Sequence, residues 1–408
     1  LSKSEQNKCD IIKQLYFGGT ISCAEVSEGI ERSFPLTTRL INELVESGFV
    51  LEKGLAPSTG GRRPIVYSLK PNVLYILSIA MDQHVTRLVI MDMQNNFITP
   101  IRRIQLPLQN NLQALHALID AIHEFFTEAK IPKEKIAGIG IGMPGFVDVN
   151  KGVNYSFLLA GGKNIKKIIS EQVGIPVFID NDSSLIALAE LKFGAARNKS
   201  DAMVINFGWG VGLGLILHKQ IFRGHNGFAG EFSHIPLFQN GRLCVCGKTG
   251  CLETEASLLV VIEKAKQGLR EGRASALQID HLEDVENANE WLSQAAQNGD
   301  QFATELFAES AYNIGRGVAI LIHLLNPEVI VLSGRGATAG FVLQAPIQRA
   351  LNEHCIPRLA AGTTLEISQL GHDAELIGAA CLVMENFDKV SIKLSDAKPF
   401  LDFVAEEL

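Results

Sequence analysis

No stretch of this 408-residue chain approaches the ~20 consecutive apolar residues a membrane helix needs, so insertion into a bilayer is not expected. A basic excess is missing as well. Lys and Arg number 37 against 44 Asp and Glu, a net charge of −7, which excludes a protein that coats nucleic acid along its whole surface. A small DNA-reading module on an acidic body stays compatible with that balance. Cysteines are few and odd in number, seven, and make a poor disulfide framework. The opening segment LSKSEQNKCDIIKQLYFGG lacks the unbroken apolar core of a signal peptide, so a cytoplasmic protein is expected. The length exceeds what one core organises, and two or three domains are expected.

What is present concentrates in GEFSHIPLFQNGRLCVCGKTGCLE, Gly230 to Glu253. Cys244, Cys246 and Cys251 form C-x-C-x4-C, with His234 ten residues upstream. Three thiolates and an imidazole make a closed tetrahedral shell whose soft ligands select zinc over magnesium or calcium. Three free surface thiols are the plainer reading. If zinc is held, no position remains for water, so its role is structural; it would fix His234 so that the second ring nitrogen can face a ligand. Cys9, Cys23, Cys355 and Cys381 are scattered and read as small buried residues.

Residues 1–70 stand apart. Apolar periodicity suits three short helices, the third over Pro35–Ser47, followed by strand, Gly-rich tip STGGRRP and strand. That order is a winged helix-turn-helix, with Thr37, Thr38, Arg39 and Asn42 on the exposed side of the reading helix and Arg62 and Arg63 at the wing tip, suited to a minor groove. The segment holds nine Lys/Arg against eight Asp/Glu, which equally suits a helical cap without DNA. From residue 73 strands alternate with helices in two successive sets, which predicts two α/β lobes with a cleft between them. The expected division is 1–70, then 71–192 completed by 385–408, then 193–384. The strand in GIPVFIDND ends in Asn181 and Asp182, at the sheet edge where open α/β folds bind ligands. Asp182 can accept a hydroxyl proton, Asn181 suits vicinal sugar hydroxyls, and Glu231, His234 and Glu253 can add polar contacts.

Together these segments resemble the ROK family (repressors, open reading frames and sugar kinases). GEFSHI…CVCGKTGCLE matches its signature, and GMPGFVD, IDND, GWGVGLGLIL, LNPEVIVLSG and DAELIGAA follow in family order over essentially the whole chain. The N-terminal module with STGGRRP looks like the repressor branch typified by the NagC and Mlc regulators. The resemblance implies an actin-like, hexokinase-type (ribonuclease H-like) α/β body and structural zinc on His234, Cys244, Cys246 and Cys251. It also implies a sugar site of Asn181, Asp182, Glu231, His234 and Glu253, with the backbone of Gly145 against the sugar.

Family kinases carry a first phosphate loop like D-x-G-G-T-K; here the turn reads MDQHVTR, Met81 to Arg87, with Gln83 and His84 where glycines are needed. The second loop, G-T-G-x-G-x-G in kinases, reads GWGVGLG, with Trp209 in place of a hydroxyl residue. Both departures fall on ATP and none on the sugar residues. The expectation is a sugar- or sugar-phosphate-gated repressor, acting as a homodimer or higher oligomer on operator DNA, without ATP or Mg²⁺. The alternatives are an active sugar kinase with Asp182 as base, and a regulator sequestered by a protein partner.

Overall fold

The computed structural model describes residues 2–57 and 63–390, so Arg62 and residues 391–408 of the expected closing segment lie outside the described residues. By internal contact the chain divides into two compact units, Leu1–Asp180 with Ala379–Leu408, and Asn181–Gly378.

The first unit opens with α1 (Lys3–Gly18), β1 (Ile21–Ser22), α2 (Cys23–Gly29), α3 (Phe34–Glu46), β2 (Val50–Leu55) and β3 (Ile65–Leu69). Ser2 with Glu5 and Ser22 with Glu25 form capping boxes, satisfying N–H groups that the first turns of α1 and α2 leave orphaned. α3 stops at Ser47–Gly48, where the glycine takes a φ of 77° that a side chain would resist. Ile11, Ile12, Leu15, Val26, Leu40, Ile41 and Leu44 are buried, one apolar stripe from each helix. β3 lies between β1 and β2 in an antiparallel sheet. Three helices and a wing are the winged helix-turn-helix arrangement.

The rest of the first unit is β4 (Tyr75–Met81), β5 (Val85–Asp92), β6 (Arg102–Gln105), α4 (Ala114–Ala129), β7 (Ile136–Met143), β8 (Val147–Asp148), β9 (Val153–Asn154), α5 (Ile165–Val173) and β10 (Val177–Asn181). The second unit runs α6 (Asp182–Phe193), β11 (Ala202–Phe207), β12 (Val211–Leu217), β13 (Gln220–Phe222), α7 (Glu253–Ala256), α8 (Leu258–Arg270), α9 (Val285–Gln297), α10 (Gln301–Leu325), β14 (Val329–Ser333), α11 (Gln344–His354), α12 (Pro357–Ala360) and β15 (Thr364–Ile367). α13 (Ala374–Glu385) then carries the chain back into the first unit.

The two five-stranded sheets have one topology. Their orders are β10-β7-β4-β5-β6 and β15-β14-β11-β12-β13. In each, the first strand pairs antiparallel with the second and parallel with the fourth, so β4 and β11 occupy equivalent places. This repeated α/β plan is the actin-like, hexokinase-type body. Central strands such as Ile136–Met143 are buried along their whole length, which explains their unbroken apolar character. Gly140 is required within that strand, since an added Cβ would collide with the Ala379 carbonyl of α13.

Within the first unit the N-terminal module is fastened to the body by polar contacts at α1. Lys13 Nζ lies 2.7 Å from Asp388 Oδ1 and donates to the Glu385 carbonyl at 2.9 Å, at the end of α13. Tyr16 donates to Asn95 Oδ1 at 3.2 Å, and Gln94 Nε2 to the Leu69 carbonyl at 2.7 Å. Burial raises the Asp388 pKa, but the Lys13 hydrogen bond and charge outweigh it and hold the carboxyl below its ordinary value. A depressed pKa stabilises the fold above the unfolded value of about 4 and loses that contribution as pH falls through the folded value. Asp388→Asn should therefore lower the melting temperature at pH 7 through loss of about 1–2 kcal/mol. The gap to the parent should close on acidification; a gap independent of pH would mean that the charge pair contributes nothing.

Candidate functional site

The second unit collects the Cys/His cluster. Arg242 bonds Glu263 at 2.6 Å, and Arg316 donates to the Leu237 carbonyl at 3.2 Å while lying over the Phe238 ring, so both ends of the loop are tied down. Gly247 and Gly250 both take positive φ, and a Cβ on Gly250 would strike the Phe238 carbonyl. The loop brings the His234 ring and the sulfurs of Cys244, Cys246 and Cys251 within 4.8 Å of one another. Cys246 Sγ lies 3.6 Å from Cys251 Sγ, and Cys244 Sγ 3.4 Å from His234 Nδ1. Sulfurs about 2.3 Å from a tetrahedral ion would be about 3.8 Å apart, so the donor set fits a metal ion. Burial, reinforced by its two neighbouring thiols, pushes Cys251 up to about 12. Ionising these thiols side by side would call for a cation among them, which the cluster has the donors to hold.

His234 faces two ways. Nδ1 points to Cys244, while Nε2 lies 3.6 Å from Glu231 Oε2. Glu231 follows Gly230, whose φ of 103° and close approach to the Leu213 carbonyl exclude a side chain. Burial pushes the Glu231 carboxyl up, with His234 opposing and Glu253 reinforcing, although 41% of the side chain stays exposed.

The hairpin leading into β12 is approached by Glu253 and by Ser183, the residue after Asp182. Glu253, first in α7, would meet a Cβ on Gly210 at 2.7 Å through its Oε2. Asn181 caps α6, its Oδ1 accepting from Ser183 N at 3.0 Å and Ser184 N at 3.2 Å. Asp182 accepts from Ser183 N at 2.7 Å, and Asn206 of β11 donates to Ser183 Oγ at 3.2 Å. Ser183 in turn occupies the space a Cβ on Gly212 would need. Sequence reading missed Ser183 and Asn206 as partners of this cluster, because their contacts are set by packing rather than by spacing. Gly145 belongs to the first unit, where its φ of 84° and the crowding of Ser156 already demand glycine.

The chain has counterparts among known proteins. A model of the ROK family matches residues 79–386. The chain belongs to the ROK family. It is 28% identical to the xylose repressor of Caldicellulosiruptor bescii over 93% of this chain and 96% of that one. It is 35% identical to a glucokinase of Halalkalibacterium halodurans over 66% of this chain and 82% of that one. Among solved structures, a ROK family transcriptional regulator described as a homolog of the Escherichia coli Mlc protein covers 95% of this chain with a TM-score of 0.75 at 24% identity; 97% of that chain is covered. The ROK family includes both repressors and sugar kinases.

In this ROK chain the two loops matched to phosphate binding are the equivalent hairpin turns, β4–β5 and β11–β12. In the first, Asp82 Oδ1 accepts from His84 N at 2.7 Å and Val85 N at 2.8 Å, closing a tight Asx turn. Residues 106 and 108 donate to the carbonyls of His84 and Gln83. In the second, Trp209 is 5% exposed and Arg335 lies over its ring at 4.2 Å. Arg335 also bonds Glu286 Oε2 at 3.1 Å, and Asn289 donates to the Arg335 carbonyl at 3.0 Å. Two of the four glycines of GWGVGLG have packing duties of their own. A Cβ on Gly212 or Gly214 would collide with α6, whereas Gly208 has nothing closer than 3.5 Å. Packing alone therefore accounts for the survival of Gly212 and Gly214.

The N-terminal surface departs from expectation at one position. Thr37 is fully buried, and its hydroxyl donates to the Ser33 carbonyl at 3.1 Å. It falls in line with Leu40, Ile41 and Leu44 on the apolar stripe of α3, so it is not on the exposed side. Thr38 is half-buried, donating to the Phe34 carbonyl at 2.9 Å with Cys23 Sγ at 3.2 Å. Arg39 and Asn42 are exposed. Arg63 folds back on the wing, donating to the Ala56 carbonyl at 2.5 Å.

The packing account of the second hairpin separates two substitutions. Gly214→Ala should lower stability by about 1–3 kcal/mol through overpacking against α6, whereas Gly208→Ala should be tolerated. Melting temperatures of the two variants check this, and equal losses would contradict it.

Proposed function

We propose that this chain is a DNA-binding transcriptional repressor of carbohydrate uptake or catabolism genes, released by a sugar or sugar phosphate, in which the kinase-like body no longer phosphorylates its ligand. One observation carries the reading: a module presenting Arg39 and Asn42 heads a body whose second phosphate hairpin is capped by the Arg335–Trp209 stack. Repressor relatives along the full length support it, as the xylose repressor does. Arg39 and Asn42 would read base edges in the major groove, with Arg63 beside the wing. Operators with two-fold symmetry call for a homodimer or higher oligomer.

In this reading Asn181, Asp182, Glu231, His234 and Glu253 hydrogen-bond the sugar hydroxyls. The ion in the Cys/His cluster is zinc, selected by three thiolates and an imidazole, and structural because protein ligands fill all four positions. Holding His234 through Nδ1 leaves Nε2, beside Glu231, for the sugar. A sugar shifts operator affinity only by its differential affinity for the two states of the protein.

The glucokinase relative, at 35% identity, favours a second reading, an active kinase with Asp182 as general base. Fluorescence anisotropy on DNA from the protein's own upstream region, with a panel of sugars and sugar phosphates and ATP consumption followed in the same samples, separates the two. Release of specific binding by one sugar without ATP turnover is expected. Sugar-dependent turnover without specific DNA binding would establish the kinase instead. Asp182→Asn and Glu231→Gln should abolish release while leaving sugar-free operator binding intact. Arg39→Ala should weaken that binding by about tenfold, the worth of one base contact.

A further inference from the structure

The polar face of α3 is thinner than its sequence suggests. Thr37 is buried, and Thr38 is committed to the Phe34 carbonyl and to contact with Cys23. Arg39 sits 3.9 Å from Glu43, which Lys8 also holds at 2.8 Å. What the helix does present at its first position is an aromatic ring. Phe34 is 54% exposed, whereas Tyr16, Phe49 and Tyr67 of the same module are all below 10%. With Pro35, Thr38, Arg39 and Asn42, and with Glu43 and Glu46 at its far end along the helix, Phe34 lines an open concavity of about 580 Å³ on the outer face of α3. Its ring therefore sits beside the two polar residues best placed to reach bases.

We propose that Phe34 is a base-reading residue, its ring packing against the 5-methyl group of a thymine in each operator half-site. The inference rests on the operator-binding reading above and adds to it the class of base that the start of α3 recognises. Residues at the N-terminal end of a recognition helix are those that reach base edges. Among the four bases, thymine alone offers the major groove an apolar group, and Phe is among the side chains that contact it. The Phe34 side chain carries no hydrogen-bonding group, so the contribution of its ring to specificity is apolar. The module core does not need this ring, since the buried positions of α3 are Thr37, Leu40, Ile41 and Leu44. Removing Phe34 should then leave the fold intact while changing which bases are read.

The test replaces each operator thymine in turn by deoxyuridine, which deletes only the methyl group, and measures affinity for the full-length chain and for Phe34→Ala and Phe34→Leu. For the parent, one thymine in each half-site should lose about fourfold in affinity on losing its methyl, the worth of one buried methyl group. Phe34→Ala should bind the thymine operator more weakly and show no thymine–uracil difference at that position, with an unchanged melting temperature. Phe34→Leu, still apolar, should keep part of the difference. A parent insensitive to deoxyuridine at every thymine would overturn the proposal, as would a Phe34→Ala chain with the parent's thymine–uracil ratio. Absence of specific DNA binding by the parent is a different result, one that overturns the repressor reading and this inference with it.

Discussion

The arrangement turns on one imidazole with two faces. His234 directs Nδ1 into a crowd of three sulfurs and Nε2 toward Glu231. A ring constrained from one side can present the other at a fixed angle, which a histidine on an open loop cannot do. The fold is built to keep that ring in place. Gly230 lets the chain turn against β12, Gly250 lets the loop close on Phe238, and Arg316 and Arg242 hold its ends. Glu231 and Glu253 flank the constrained segment in sequence, and Glu253 and Ser183, which donates to Asp182, both approach the hairpin leading into β12.

The repeated sheet topology gives the two hairpin turns equivalent positions and opposite fates from those of a phosphate cradle. In the first unit an Asx turn consumes the surviving Asp82. In the second, Trp209 is buried beneath Arg335, whose charge is met by Glu286. A kinase needs both turns open with bare N–H groups aimed at phosphates. The polar residues around β12 make no such demand on the hairpins, so ligand binding there would not depend on the kinase reaction.

Much of this was legible from sequence because it depends on local spacing. The C-x-C-x4-C run with His234 upstream announced the cluster, and strand-helix alternation announced the α/β body. Thr37 was misread because exposure on a helix depends on phase. One residue's rotation separates Thr38, half-buried, from Thr37, which shares the stripe of Leu40 and Leu44. Arg335 and Glu286 were invisible as partners of Trp209, since nothing in a linear chain marks which distant cation will stack on a given indole. The glycines of GWGVGLG match the kinase loop in sequence, yet two of them are required by the approach of α6.

The most direct test of the central claim joins metal content to ligand response. Cys246→Ser removes one sulfur from the cluster without touching a residue assigned to the sugar or to DNA. Metal analysis and sugar-dependent release of operator DNA would be measured on the same preparation, beside the parent chain. The account predicts about one zinc per parent chain and a large loss of zinc in the variant. It also predicts a ten- to hundredfold rise in the sugar concentration needed for half-release, with sugar-free operator affinity unchanged. A variant that loses its metal yet responds to sugar like the parent would contradict it, since His234 would then need no fixing to serve the ligand.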